Sequence, residues 1–211
     1  MLTLGTLASQ LWPDAVGELF RRYAKVRVAR AKEILFEEVR VGRVLPEEAA
    51  QRDEVAAMLY AWARAVREGA AFENLRLLAR VLNEHLDSPP RADSFYRWAR
   101  MIETLSHSEI VVLAILFREY NRIDPTTKTT VNVDDAMKAT RDAAVRRTDL
   151  FPVSDEFEQT LVALVRTGLI IQSAGYGGRM NYRPSPLLAE LVRMARLNEW
   201  AEELSGGADI D

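Results

Sequence analysis

The sequence predicts a mainly α fold, with an N-terminal helical bundle packed on a C-terminal half that mixes helices with a small antiparallel sheet. Three observations predict it. Apolar residues recur at three- and four-residue spacing through most of the first half of the chain. Gly42, Gly69 and Pro89-Pro90 fall between those stripes rather than inside them. Strand-like stretches occur only at Lys128–Val133, Leu169–Gln172 and Arg179–Arg183, and the last two flank a glycine-rich turn.

The first helix follows Pro13, a residue suited to a first helical turn, and carries Val16, Leu19, Phe20, Tyr23, Ala31, Ile34 and Leu35 up to Gly42. The second opens at Pro46 with Glu47 and Glu48, where carboxylates favour the helix dipole. Its stripe is Val55, Met58, Leu59, Trp62, Ala65 and Val66, and Gly69 stops it. A third carries Phe72, Leu75, Ala79, Leu82 and Leu86, and a fourth carries Phe95, Trp98, Ala99, Ile102 and Leu105. Wide apolar stripes of this kind belong to packed bundle helices, so Trp62 and Trp98 are expected in the core.

The C-terminal half is richer in signals. Ser106 and Glu109 have the spacing of a capping box, and the helix they open contains the apolar run Ile110–Phe117. Val131 and Val133 alternate with polar neighbours, which predicts a short strand at Lys128–Val133. Asp134 and Asp135 open a helix through Met137, Ala144 and Arg147. Ser154 is expected to cap another, carrying Phe157, Leu161, Leu164 and Val165 to Thr167-Gly168. A strand at Leu169–Gln172, the turn Gly175-Tyr176-Gly177-Gly178 and a strand at Arg179–Arg183 form a hairpin that Pro184 and Pro186 stop. Leu187, Leu188, Leu191, Val192 and Met194 mark a last helix. The expected domains are a bundle over 1–105, a second domain over 106–195 and an acidic tail over 196–211.

From Ser106 to about Met194 this order of elements resembles the winged-helix superfamily. The stretch Leu161-Val162-Ala163-Leu164-Val165-Arg166-Thr167-Gly168-Leu169-Ile170 is similar to that superfamily's junction between third helix and wing. The resemblance implies DNA binding, with the third helix in the major groove and the wing on the backbone. It equally implies a protein-interaction role, since fold does not set function. Charge bears on the choice. The third helix begins Asp155-Glu156-Phe157-Glu158, carboxylates where phosphate would approach. From Met101 to Asp211 there are 12 basic against 17 acidic residues, so this half repels phosphate on balance. If DNA is bound, the residues expected to do it are Lys138, Arg141, Arg146 and Arg147 on the preceding helix with Arg179 and Arg183 on the wing. The favoured expectation is a non-catalytic protein-interaction or scaffold protein; the alternative is a DNA-binding transcriptional regulator.

A second resemblance covers the whole chain. Asn74-Leu75-Arg76-Leu77-Leu78-Ala79-Arg80-Val81-Leu82, followed by Phe95-Tyr96-Arg97-Trp98-Ala99-Arg100-Met101-Ile102-Glu103-Thr104-Leu105-Ser106, resembles the helix order of the Abi-alpha abortive-infection family. It implies a bacterial or phage-borne protein linked to defence.

Composition narrows the remaining classes. The chain has no cysteine, which excludes disulfides, thiolate metal sites and cysteine nucleophiles and fits the expected cytoplasmic location. Met1–Leu11 lacks a basic leader and is not read as a signal peptide. The Ile110–Phe117 run falls far short of the ~20 residues of a membrane span. His85 and His107 stand apart, and Glu37-Glu38, Glu47-Glu48 and Asp134-Asp135 are neighbours that do not face one another on a helix. No catalytic, cofactor-binding or metal residue is therefore expected.

Charge is unevenly spread. Arg21, Arg22, Lys25, Arg27, Arg30, Lys32, Arg40 and Arg43 face only Glu33, Glu37 and Glu38 in the same stretch, whereas the tail is acidic. This marks either a basic interaction face or a solvated helix surface. Tyr23, Val26, Val28, Ile34, Leu35, Phe36 and Val39 lie on several sides of the same helix, which predicts a homodimer through it.

Overall fold

In a computed structural model of the chain, residues 22–39, 49–87, 91–123, 133–174 and 180–199 are described. The chain is mainly helical, with one two-stranded antiparallel sheet near the C-terminal end. It divides into two compact units, Met1–Glu103 and Thr104–Asp211.

The first unit holds α1 (22–38), α2 (Ala49–Glu68), α3 (Phe72–Asp87) and α4 (Ala92–Ile102). The last three pack against one another in every pairing. Their buried stripes meet in a core of Val55, Met58, Trp62 and Ala65, Leu75, Leu78 and Leu82, and Phe95, Trp98 and Ile102. Ala31 and Ile34 are buried from α1. Two polar groups carried into this core find partners: the Trp62 indole N–H donates to the Leu75 carbonyl at 3.3 Å and the Asn74 amide to that of Ile102 at 2.7 Å, whereas the buried Trp98 indole N–H has none among the described residues. Gly69 ends α2 with φ +93°, a left-handed turn that an L side chain resists. The Ala70 amide then closes on the Ala65 carbonyl at 3.1 Å, the six-to-one bond of a glycine-ended helix.

Three expected core residues of this unit are exposed: Tyr23, Leu59 and Phe72. The place of Phe72 has a physical reason. Its ring lies 5.2 Å below the guanidinium of Arg27, a cation that is itself buried. The Arg27 Nε donates to the Val66 carbonyl at 2.6 Å, and its terminal nitrogen donates to that of Ala70. These belong to the carbonyl-rich end of α2 and the turn after it, where a cation is favoured.

The second unit holds α5 (His107–Ile123), α6 (Val133–Val145), α7 (Ser154–Val165), β1 (Ile170–Ala174), β2 (Met180–Pro184) and α8 (Pro186–Ala195). Helix α5 contacts α6, α7, β2 and α8, and so is buried from Ile110 through Leu116. Its capping box closes in both directions: the Ser106 amide donates to Glu109 Oε2 at 2.8 Å, and the Glu109 amide donates to Ser106 Oγ at 3.2 Å. Strands β1 and β2 pair antiparallel, with Ile170 opposite Pro184 and Gln172 opposite Tyr182. Pro184 is thus the last paired residue, and Pro186 is the first of α8, behind a Ser185 cap that accepts from the Leu188 amide at 3.2 Å.

Local expectations are corrected here. Val133 opens helix α6 instead of ending a strand; Lys128 to Asn132 lie outside the described residues. Its partners explain why: the residues after it, Ala136, Met137, Thr140 and Ala143, form a buried helical stripe. Arg147 lies beyond the end of α6. Ser154 is the first residue of α7 rather than its cap; the cap position is Val153, which is extended and offers no side-chain acceptor. Leu197, within the stretch expected to be a tail, is buried. The turn 175–179 and residues 200–211 lie outside the described residues.

Candidate interaction face of the C-terminal unit

Helix α7 buries Phe157, Leu161 and Leu164, which recur at four and three residues and so share one side. The opposite side is set by the same periodicity and carries Asp155, Gln159, Val162 and Arg166, flanked by Glu156 and Glu158. Within α7 itself there are three carboxylates and no cation. Val162 is 60% exposed, an apolar residue lying between Gln159 and Arg166 along this side, beyond the carboxylates of the first turn.

Arg166 follows α7 and is the nearest cation along the chain, but it turns toward α5. Its guanidinium donates to both carboxylate oxygens of Glu109, at 3.3 Å to Oε2 and closer to Oε1, and also to the Ala163 carbonyl. Burial pushes the Glu109 carboxyl up; hydrogen bonds from Arg166 and Ser106, with the Arg166 charge, outweigh it and hold the group below its ordinary value. Between the start of α5, the turn at Leu150-Phe151 and α7 lies an open cleft of about 570 Å³, bordered by Glu109, Glu156, Gln159, Thr160 and Arg166.

The cations expected to hold phosphate do not form one free patch. Arg141 pairs with Glu158 at 2.7 Å and reaches the Met180 carbonyl at 3.4 Å. Arg147 makes a two-pronged pair with Asp149 at 3.0 and 2.9 Å. Lys138 on α6, Arg146 after it and Arg183 on β2 are exposed and form no ion pair among the described residues. Arg179 lies outside the described residues. The hairpin is tied back to the helices by Tyr120, whose hydroxyl donates to the Tyr182 carbonyl at 2.6 Å, and by Asn181, which donates to Asp134.

In the N-terminal unit the basic stretch also divides. Arg27 is buried, and Arg30 pairs with Glu33 at 2.8 Å. The other carboxylates of α1 bind α3: Glu37 meets Arg76 at 2.9 Å, and Glu38 meets Arg80 at 2.9 Å. Arg22, Lys25 and Lys32 are exposed without an ion pair among the described residues. Arg21, Arg40 and Arg43 lie outside them.

Among the described residues no cluster of three or more metal-ligating side chains occurs, and no helix is long and apolar enough to cross a membrane. His85 serves the fold. One ring nitrogen meets the Val81 carbonyl at 2.9 Å and the other the Ser94 hydroxyl at 3.2 Å, linking α3 to the first turn of α4.

Sequence reasoning missed the Arg27 and Arg166 pairings. The capping-box spacing signalled that Glu109 is held in place, but nothing local marks Arg166 as its partner 57 residues away. The chain matches no family model, no curated protein and no solved structure.

Proposed function

We propose that residues 106–195 form a winged helix used as a non-catalytic protein-interaction module, with the outward side of α7 as its contact surface. The observation that carries this reading is the charge of that side. A recognition helix must bring cations to phosphate, and α7 presents Asp155, Glu156 and Glu158 instead. Its neighbour Arg166 is held by Glu109, and Arg141 is held by Glu158. The exposed carboxylates Asp155 and Glu156, with the exposed Val162 further along the same side, suit a cationic protein partner with an apolar anchor. The Abi-alpha resemblance of the sequence adds a setting in bacterial or phage defence to the proposal.

The second reading is a DNA-binding regulator. It is favoured by Lys138, Arg146 and Arg183, which are exposed and free of ion pairs among the described residues. A salt titration with a labelled DNA duplex separates the two. The interaction module shows no saturable binding near ~0.1 M salt, conditions in which specific DNA binders stay tight. The regulator binds saturably, weakens steeply with salt as counterions are released, and loses affinity on Lys138→Ala and Arg183→Ala.

A further inference from the structure

We infer that the acidic side of α7 docks the basic outward side of α1 from a second copy of this chain, an inference that rests on the reading of α7 as a protein-contact surface. Ala31 and Ile34 define the buried side of α1. Helical periodicity then places Arg22, Lys25, Ala29, Lys32 and Phe36 along the opposite side, at spacings of three and four residues. All five are exposed. No carboxylate falls in that line. Glu33 is paired with Arg30, and Glu37 and Glu38 are turned to Arg76 and Arg80, so none of them neutralises it.

The two sides complement each other in three respects. One carries Arg22, Lys25 and Lys32; the other carries Asp155 with Glu156 beside it, while Glu158 is held by Arg141 and Arg166, at the far end, by Glu109. Each holds one exposed apolar anchor, Phe36 at 69% and Val162 at 60% exposure. Their lengths agree as well: at 1.5 Å per residue the α1 line spans about 21 Å and the line from Asp155 to Arg166 about 17 Å. Three-and-four spacing on both helices is the pattern that lets two helices pack side by side. Arg22, Lys25, Lys32, Asp155 and Glu156 are each exposed and form no ion pair among the described residues. The contact joins different surfaces, and it therefore gives a closed dimer or ring where the rotation permits and a chain of copies where it does not.

The test measures the solution mass of the full chain. At ~100 μM protein in ~0.1 M salt, the mass should exceed the 23.9 kDa of one copy, and it should fall back to that value near ~1 M salt, where exposed charges are screened. Lys25→Glu with Lys32→Glu should weaken association by about tenfold or more, as should Asp155→Lys with Glu156→Lys. The neutral pair Asp155→Asn and Glu156→Gln gives the same direction without placing cations at a helix start. A chain carrying both charge reversals should associate again. A single-copy mass for the unaltered chain overturns the proposal, and so does association that survives the α7 changes, which would mean that α1 pairs with itself. The duplex titration on the same samples separates the two levels. A single-copy mass with no duplex binding defeats only the second-copy docking, whereas saturable duplex binding through Lys138 and Arg183 defeats the reading of α7 beneath it.

Discussion

Arg166 and Glu109 lie 57 residues apart, and their side chains join the end of α7 to the start of α5. Glu109 accepts from the Ser106 amide as well, so one carboxylate serves both a helix cap and an ion pair. Its charged form is favoured in the folded chain, because donors surround it even though burial opposes ionisation.

Glu109→Gln should therefore destabilise the C-terminal unit by about 1–2 kcal/mol at neutral pH, the usual range for a lost cap and a lost charged hydrogen bond. The sign of the pH dependence follows from the lowered pKa. The contribution is complete above the ordinary glutamate value of 4.5 and is lost as pH falls through the folded-state pKa below it. Urea unfolding of the two proteins across pH 3 to 7 checks this: their difference in stability should shrink in the acid range, and a constant difference would count against the assignment.

Arg27 supports unit 1 from inside. Arg27→Met keeps most of the apolar stem but leaves the Val66 and Ala70 carbonyls without their donor, and should cost about 2–3 kcal/mol. Arg27→Lys should recover less than half, since one ammonium does not reproduce a planar fork with two separate acceptors. Hydrogen exchange of the α2 amides reports the loss at the affected end. Unchanged protection in Arg27→Met would show that the cation is dispensable.

The phenol of Tyr120 is half-buried beneath the hairpin, and burial pushes its pKa up to about 12. An unfolded tyrosine ionises near 10. Stability from this group is thus present below pH 10 and lost between pH 10 and about 12, as the unfolded chain gives up the proton first. Ultraviolet titration should show at least two fewer phenols ionising near pH 10 than in an unfolded control, because burial also raises Tyr182, and Tyr120→Phe assigns the Tyr120 step. The same substitution removes the bond to the Tyr182 carbonyl and should cost about 1 kcal/mol.

Gly168 sits at φ +71° between α7 and β1, with nothing within 4 Å of an added Cβ. Gly168→Ala should consequently cost only the backbone term, about 1 kcal/mol, and Gly168→Asn less, because asparagine tolerates that region. Thermal unfolding that ranks Gly, Asn, Ala and then Val in falling stability agrees with a purely conformational requirement; a large loss for alanine would reveal packing at this glycine.

Local rules sufficed for much of the architecture. The stripes of α2, α3 and α4, the capping box at Ser106 and the hairpin strands on either side of 175–179 follow from residues within a few positions of one another, where periodicity and turn chemistry act directly. Local rules failed where a neighbour distant in sequence supplied the deciding contact. Val133 had the β-branched look of a strand end, yet burial of Ala136, Met137 and Thr140 drew it into a helix. The acidic start of α7 and the basic stretch of α1 were legible as charge, because charge is a property of composition. Which charges are spent is not: Arg27 capping α2, Arg166 pinned to Glu109, and Glu38 bound to Arg80 all depend on side chains brought together from 39 to 57 residues away. The sequence by itself determined the helices, the hairpin and the total charge of each surface stretch. Only the tertiary structure decided which ions are paired and which stay free, because an ion pair needs its partners within a few ångströms, and that distance is set by packing.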